Sequence, residues 1–103
     1  MAVYTTINDG SAYFQTALYT GTGNAQTITN TGNSDLQPDW VWTKNRSAAQ
    51  NHCVTDTNRG LNKVIFPDAN DLQSTVTLVS SMNTDGFTIS NNALVSTNGN
   101  NYV

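Results

Sequence analysis

Residues 74–91 of the chain, STVTLVSSMNTDGFTISN, predict a β-hairpin. Apolar and polar side chains alternate on both sides of its centre, with apolar positions at Val76, Leu78, Phe87 and Ile89. Side chains alternate between two faces along a strand, so a period of two favours β-structure over helix. At the centre, residues 83–86 end on Asp85-Gly86, a pair that adopts the positive φ angles of tight hairpin turns. The stretch therefore indicates an antiparallel sheet.

Short segments of strand-forming residues separated by turn residues continue along the rest of the chain. Runs rich in β-branched and aromatic residues alternate with Gly, Asn, Asp and Pro. The predicted strands are 13–20, 25–30, 40–44, 52–56, 63–66, 74–81 and 87–91, and another starts at 101–103. A spacing of about ten residues predicts an all-β fold, an antiparallel β-sandwich of jelly-roll or lectin-like layout.

We expect one domain. Residues 1–12 form an N-terminal arm or a first strand, and residues 13–103 form a single β-sandwich domain. Only residues 47–52 and 68–73 could hold a helical turn, and we interpret both as loops. Residues 21–24, Gly-Thr-Gly-Asn, predict a second turn.

The composition excludes several classes of protein. Of the 103 residues, 44 are Thr, Asn, Ser or Gln, and only 11% are charged, with no Glu. Good helix formers are scarce, which argues against a helical bundle. A net charge of −3 with four basic residues argues against binding to nucleic-acid phosphates. No apolar run approaches the ~20 residues that a membrane-spanning helix needs.

The cysteine content points to synthesis in a reducing cytoplasm. Cys53 is the single cysteine, so the chain can form no intrachain disulfide and no cysteine-based zinc site. The first 30 residues also show neither the basic segment nor the apolar segment of a secretory signal.

Trp40 and Trp42 share one face of their predicted strand, while Val41 and Thr43 share the other. Tryptophan is usually buried in small sandwiches, so we predict that both tryptophans belong to the core. The alternative is an exposed platform on which the apolar face of a sugar stacks. The other predicted core residues are Phe14, Leu18, Ile28, Val54, Ile65, Phe66, Val76, Leu78, Phe87 and Ile89.

The sequence offers no convincing catalytic group. His52 and Cys53 are adjacent, and neighbouring side chains on a strand point to opposite faces, so they cannot act as a base and its nucleophile. The seven Asp residues mostly stand beside Gly, Asn or Pro, where they favour turns. We therefore predict a protein without enzymatic activity.

No cofactor is expected. The one metal that this composition permits is calcium, which oxygen ligands bind. Residues 68–71 (Asp-Ala-Asn-Asp) could supply such ligands, as could Asp56 with Asn58. Neither set has the spacing of an EF-hand loop, so calcium stays an open alternative.

Taken together, several segments resemble a repeat domain of phage structural proteins. They are residues 17–28 (ALYTGTGNAQTI), residues 37–46 (QPDWVWTKNR), His52, Asp56, Arg59-Gly60, Asp85-Gly86-Phe87, Asn98 and Tyr102-Val103. That repeat is frequent in marine phages, where it occurs beside concanavalin A-like (laminin-G-like) lectin domains in tail-fibre and other virion proteins. The chain departs from the pattern at Trp40, where Leu is common, and at Thr43, where an aliphatic residue is usual.

This resemblance implies a non-enzymatic virion component: a tail-fibre, head-fibre or capsid-decoration protein made in the host cytoplasm. Its partners would be other copies of itself and other virion proteins, with no nucleic acid and no membrane insertion. The alternative is a carbohydrate-binding module that recognises host surface glycans. Members of this group continue beyond the Tyr-Val pair, so we expect the last strand to be incomplete.

One small polar cluster is also expected. His52, Asp56 and Arg59 stand at the spacing of the repeat, and an Arg guanidinium can form a forked contact with a carboxylate. We interpret them as a network that braces two strands, with a ligand pocket as the alternative.

Overall fold

A computed structural model describes residues 5–103, in which the regular secondary structure consists almost entirely of short strands joined by turns and loops. The nine strands are β1 (Tyr19–Thr20), β2 (Gln26–Thr29), β3 (Trp40–Thr43), β4 (Cys53–Asp56), β5 (Lys63–Val64), β6 (Ser74–Thr75), β7 (Val79–Asn83), β8 (Gly86–Ile89) and β9 (Asn101–Tyr102). A 3₁₀ turn covers Gly10–Ala12, and one helix, α1, covers Ala93–Ser96. The prediction of an all-β antiparallel fold is confirmed. The finer description, a jelly-roll or lectin-like sandwich, stays a prediction.

The hairpin predicted from residues 74–91 is present as β7 and β8. These strands pair antiparallel around a two-residue turn, and β2 adds to the far side of β8. Within this turn only Gly86 takes a positive φ, of 140°, and Asp85 does not, contrary to the expectation for the Asp-Gly pair. A side chain at position 86 would collide with the backbone oxygen of Ile28 on β2, which explains the glycine.

The predicted strand 74–81 is wrong in its extent. The chain leaves β6, which pairs with β5, and enters β7, which pairs with β8, within four residues. Residues 76–78 therefore connect two different sheets, and a register shift between Val79 and Ser81 marks the entry into the second.

The remaining strands form pairs: β1 with β9, β3 with β4, and β5 with β6. Two isolated bridges connect these pairs side by side, Asn45 to Tyr102 and Val54 to Ile65. The order across the molecule is thus β1, β9, β3, β4, β5, β6. The second set of strands is β2, β8 and β7.

Side chains from both sets meet in one hydrophobic core. Its buried members are Ile28, Val41, Cys53, Val64, Leu78, Val79, Phe87, Ile89 and Val95. Our core prediction holds for Ile28, Val54, Leu78, Phe87 and Ile89. It is wrong for Phe14, Leu18, Trp40, Trp42 and Ile65, which are exposed.

The helix and the last strand are fixed by two tyrosines that the sequence did not single out as core residues. Tyr102 is fully buried, and its ring stacks on that of Tyr19 with centroids 5.0 Å apart. The Tyr102 hydroxyl accepts from the backbone N–H of Thr97 at 2.9 Å and donates to the carbonyl of Ala93. Tyr19 donates to the carbonyl of Val95 at 2.8 Å, so both rings anchor α1.

The predicted strand over residues 13–20 is wrong in where it begins. Residues 5–18 contain no strand, so the strand predicted from residue 13 begins only at Tyr19. The first four residues of the predicted arm lie outside the described part of the chain. Asp9 instead caps the 3₁₀ turn, accepting hydrogen bonds from Ser11, Asn33 and Ser34.

No helix within residues 5–103 has the length and apolar character needed to cross a bilayer.

Candidate functional site

The register of β3 on β4 explains why the two tryptophans face outward. Val41 is paired with Thr55 and Thr43 with Cys53, and all four side chains are buried. The alternate positions, 40 and 42, must then point to the opposite face of this strand pair. Trp40 is 50% exposed and Trp42 is 48% exposed. The sequence predicted which residues share a face but assigned the wrong face to the core.

The two indoles and His52 form a row on this face. Trp40 and Trp42 meet edge to face with centroids 5.7 Å apart, and Trp42 meets His52 in the same way at 5.7 Å. Phe14, 67% exposed, faces the same depression as these three rings. We call Phe14, Trp40, Trp42 and His52 the outer aromatic surface.

A hydrogen bond fixes two members of the outer aromatic surface. The indole Nε1–H of Trp42 donates to Nδ1 of His52 at 2.9 Å. Because Nδ1 accepts, the neutral imidazole carries its proton on Nε2. The backbone N–H of His52 in turn donates to Asp68 at 2.9 Å, which holds the histidine at the start of β4. These hydrogen bonds hold the Trp42 and His52 members of the outer aromatic surface in place.

One cation borders the outer aromatic surface. Lys44 contributes to the same depression and donates its Nζ hydrogens to the carbonyls of Gln50, at 2.5 Å, and Ala48, at 3.5 Å. The Lys44 amine thus stabilises the loop between β3 and β4 through hydrogen bonds to two of its carbonyls.

Asp56 and Arg59 form the ion pair that the sequence anticipated, but His52 is not part of it. Arg59 donates from Nε to Asp56 at 2.6 Å and from its backbone N–H at 2.8 Å. Its remaining nitrogens donate to the carbonyl of Val54 and to the side chain of Gln73. The backbone N–H of Arg59, and then its guanidinium, hold the pKa of Asp56 below its usual value. This cluster connects β4 to the turn that follows it.

A cavity of about 330 Å³ opens along the edge of β3 that faces away from β4. The residues lining it include Phe14 and Ala17 on one side, Val41 and Trp42 on the other, and Val103. Residues on both faces of β3 line the cavity, so it lies at the edge of the strand rather than over one of its two faces. Neither the cavity nor the participation of Phe14 and Val103 carried a signal in the sequence.

Cys53 and His52 do not form a nucleophile and its base in the described part of the chain. Cys53 is 3% exposed and points into the core, whereas His52 lies on the outer face. Burial raises the pKa of the Cys53 thiol to about 11, so the thiolate is scarce at neutral pH. Hydrogen bonds from Ser34, Asn33 and Ser11 lower the pKa of Asp9, opposite to the raised value that suits a carboxylic general acid.

Within residues 5–103, no three His, Cys or Asp side chains converge as metal ligands. The Asp56 carboxylate is occupied by Arg59, and Asp68 accepts from the backbone of His52.

Comparisons with known proteins give a family and no closer relative. A family model described as a domain of unknown function (DUF7483) matches residues 9–103, so the chain belongs to this family. No curated protein and no solved structure matches the chain.

Proposed function

We propose that this DUF7483 domain is a non-enzymatic component of a phage virion, acting in assembly and in adhesion to the host surface. The resemblance to the phage repeat domain supports this placement. So does the charge-poor surface, since packed copies with few charges repel each other little and tolerate changes in salt. A tail-fibre, head-fibre or capsid-decoration protein fits these properties.

For adhesion, the proposal assigns binding of host surface glycans to the outer aromatic surface. The observation that carries it is the exposure of Trp40 and Trp42 in a row of contacting rings that ends on His52. Large apolar side chains are costly to leave in water, and contiguous exposed apolar surface commonly marks a binding site. Indole faces bind the C–H face of a sugar ring, and the Nε2–H of His52 can donate to a hydroxyl.

The low charge favours a neutral glycan as the ligand. Among residues 5–103, Lys44 is the one cation that lines the depression, and its amine is engaged by two carbonyls. A polyanionic ligand would therefore find little compensating charge among the described residues there.

Two experiments test the two parts of this proposal. Mass spectrometry of purified phage particles that encode the domain should detect it as a stoichiometric component, and its absence from particles would refute the virion role. For adhesion, Trp42→Ala should abolish retention of the domain on glycans of the host surface. Leu72→Ala is the matched control, because Leu72 is 89% exposed and lines neither depression.

A further inference from the structure

The hydrogen bond between Trp42 and His52 exists in only one charge state of the histidine. The indole Nε1–H of Trp42 is a donor only, and it donates to Nδ1 of His52 at 2.9 Å. The neutral imidazole accepts at Nδ1 when its proton lies on Nε2, whereas the protonated ring carries a hydrogen on both nitrogens. Protonation therefore turns the acceptor into a second donor, and the contact must break.

Trp42 depends on His52 for the orientation of its indole. Within residues 5–103, Nδ1 of His52 is the one hydrogen-bond partner of the Trp42 indole. The Trp42 side chain is 48% exposed, so its ring has room to turn once that bond is lost. The edge-to-face contact with Trp40, at 5.7 Å between centroids, does not involve the indole N–H in a hydrogen bond.

The charge of a protonated imidazole also disfavours the observed arrangement of the two rings. Their planes lie 79° apart, and the N–H edge of the Trp42 indole points at the imidazole. The edge of an aromatic ring carries partial positive charge, and its face carries partial negative charge. A cation is therefore repelled by the edge of the indole and attracted to its face. Protonated His52 thus attracts the indole face that would otherwise contact a sugar.

Two charged side chains face His52 from neighbouring segments of the described chain. Asp68, between β5 and β6, accepts from the backbone N–H of His52 at 2.9 Å, and Lys44, which follows β3, lines the same depression. A carboxylate attracts a protonated imidazole and an ammonium group repels it. Farther along β4, Asp56 is paired with Arg59. The protonated ring therefore has one carboxylate close by.

We propose that His52 is a pH switch for the outer aromatic surface: when it is protonated, Trp42 leaves its observed orientation and glycan binding weakens. The effect on glycans rests on the proposed function, whereas the movement of Trp42 does not. Histidine side chains change charge between about pH 5 and 8, and His52 is the one histidine of the chain. Adhesion should therefore be weaker in mildly acidic surroundings than at neutral or alkaline pH.

NMR spectroscopy of the full chain tests the switch without any glycan. The indole N–H signal of Trp42 and the imidazole ¹⁵N signals of His52 are followed from about pH 8 to about pH 5. Both should move along one titration curve, and the indole N–H should exchange faster with water as Nδ1 gains its proton. Asp carboxyl groups ordinarily titrate below this range, so they contribute little to the curve.

His52→Asn is the matched variant. The Oδ1 atom of asparagine can accept a hydrogen bond near the position of Nδ1 and does not titrate. The contact with Asp68 uses the backbone of residue 52, so the variant keeps it. Its Trp42 indole signal should stay constant over the same pH range. A wild-type indole signal that stays constant, or one that moves equally in His52→Asn, would overturn the switch.

Binding to an array of immobilised neutral glycans tests the regulation. Neutral glycans carry no titratable group, so any pH dependence arises in the protein. The apparent affinity of the wild type should be about fivefold lower at pH 5 than at pH 8, the factor expected from one hydrogen bond. Leu72→Ala should show the same ratio of affinities. In His52→Asn the ratio should be close to one, whatever the affinity of that variant at pH 8.

The outcomes separate this inference from the proposed function. A wild type that binds glycans equally at both pH values, while its Trp42 indole titrates, would refute the regulation but not glycan binding. A wild type that binds no glycan at either pH would refute the proposed function and the regulation together. In that case the indole titration would still decide whether His52 moves Trp42.

Discussion

The indole Nε1–H of Trp42 donates a 2.9 Å hydrogen bond to Nδ1 of His52. This contact links β3 to the residue that precedes β4, on the face of the strands that points away from the core. It orients the indole and sets the tautomer of the imidazole at once. The Trp42–His52 pair is therefore oriented before a ligand arrives, so little ordering of these two rings is lost on binding.

His52→Ala should release the Trp42 indole without unfolding the domain. The lost hydrogen bond lies near the surface, so we expect a cost of about 1 kcal/mol or less in the free energy of unfolding. The NMR signal of the Trp42 indole N–H should shift, and that N–H should exchange faster with water. Leu72→Ala serves as the control, and an unchanged indole signal in the His52 variant would contradict the described contact.

Cys53 should be unreactive in the folded protein. Its thiol is buried, and burial raises its pKa to about 11 from an ordinary value of 9.0. A thiol reagent at pH 8 should therefore label it only after unfolding in urea. Rapid labelling of the folded chain would place Cys53 at the surface.

The same shift predicts how stability depends on alkaline pH. Between about pH 9 and 11 the unfolded thiol loses its proton while the folded one keeps it, so the free energy of unfolding falls as the pH rises. Cys53→Ala should remove this part of the decline, measured as the difference between the two proteins in urea denaturation. Other groups titrate in the same range, but they are common to both proteins and cancel in the comparison.

Tyr102→Phe should destabilise the junction of β9 and α1. The hydroxyl accepts from the backbone of Thr97 and contacts the side chain of Asn45 at 3.2 Å, and its loss leaves buried donors without an acceptor. We expect a loss of about 1–3 kcal/mol in the free energy of unfolding. Tyr13→Phe is the control, because Tyr13 is 69% exposed and should tolerate the change. Equal stability of the two variants would show that the Tyr102 hydroxyl contributes nothing.

Gly86→Ala should be costly for a different reason. The backbone at position 86 has a φ of 140°, and an added Cβ would collide with the carbonyl oxygen of Ile28. We expect a loss of at least about 1–2 kcal/mol, seen as a lower melting temperature. Gly10→Ala meets no atom within 4 Å and should melt close to the wild type. A Gly86→Ala protein as stable as the Gly10→Ala protein would contradict the tight packing of β2 on β8.

Local sequence patterns predicted most strands well, because side-chain alternation and turn residues are properties of neighbouring positions in the chain. Alternation and turn residues placed β2, β3, β4 and β8 within one or two residues of their ends. They missed α1, whose four residues are too few to show a helical period. They also missed the break at residues 76–78, since a change of sheet depends on pairing with distant strands and leaves no trace in alternation.

The candidate site was predictable only in part. Alternation put Trp40 and Trp42 together on one face, but it could not decide which face was buried. The opposite face of the strand pair is the buried one, because Val41, Thr43, Cys53 and Thr55 lie on it and pack into the core. The general tendency of tryptophan to be buried gave the wrong answer here. The sequence grouped Asp56 and Arg59 in one polar network with His52, and the structure forms the Asp56–Arg59 ion pair, because three residues across a turn suffice to bring them together.

The most direct test of the account is a glycan array probed with three proteins: the wild type, Trp42→Ala and Leu72→Ala. The wild type and Leu72→Ala should bind the same set of neutral glycans, and Trp42→Ala should lose at least tenfold in apparent affinity for all of them. We also expect a change in intrinsic fluorescence on binding, because both tryptophans of the chain lie in the outer aromatic surface. A wild type that binds no glycan, or a Trp42→Ala variant that binds as well as the wild type, would contradict the account.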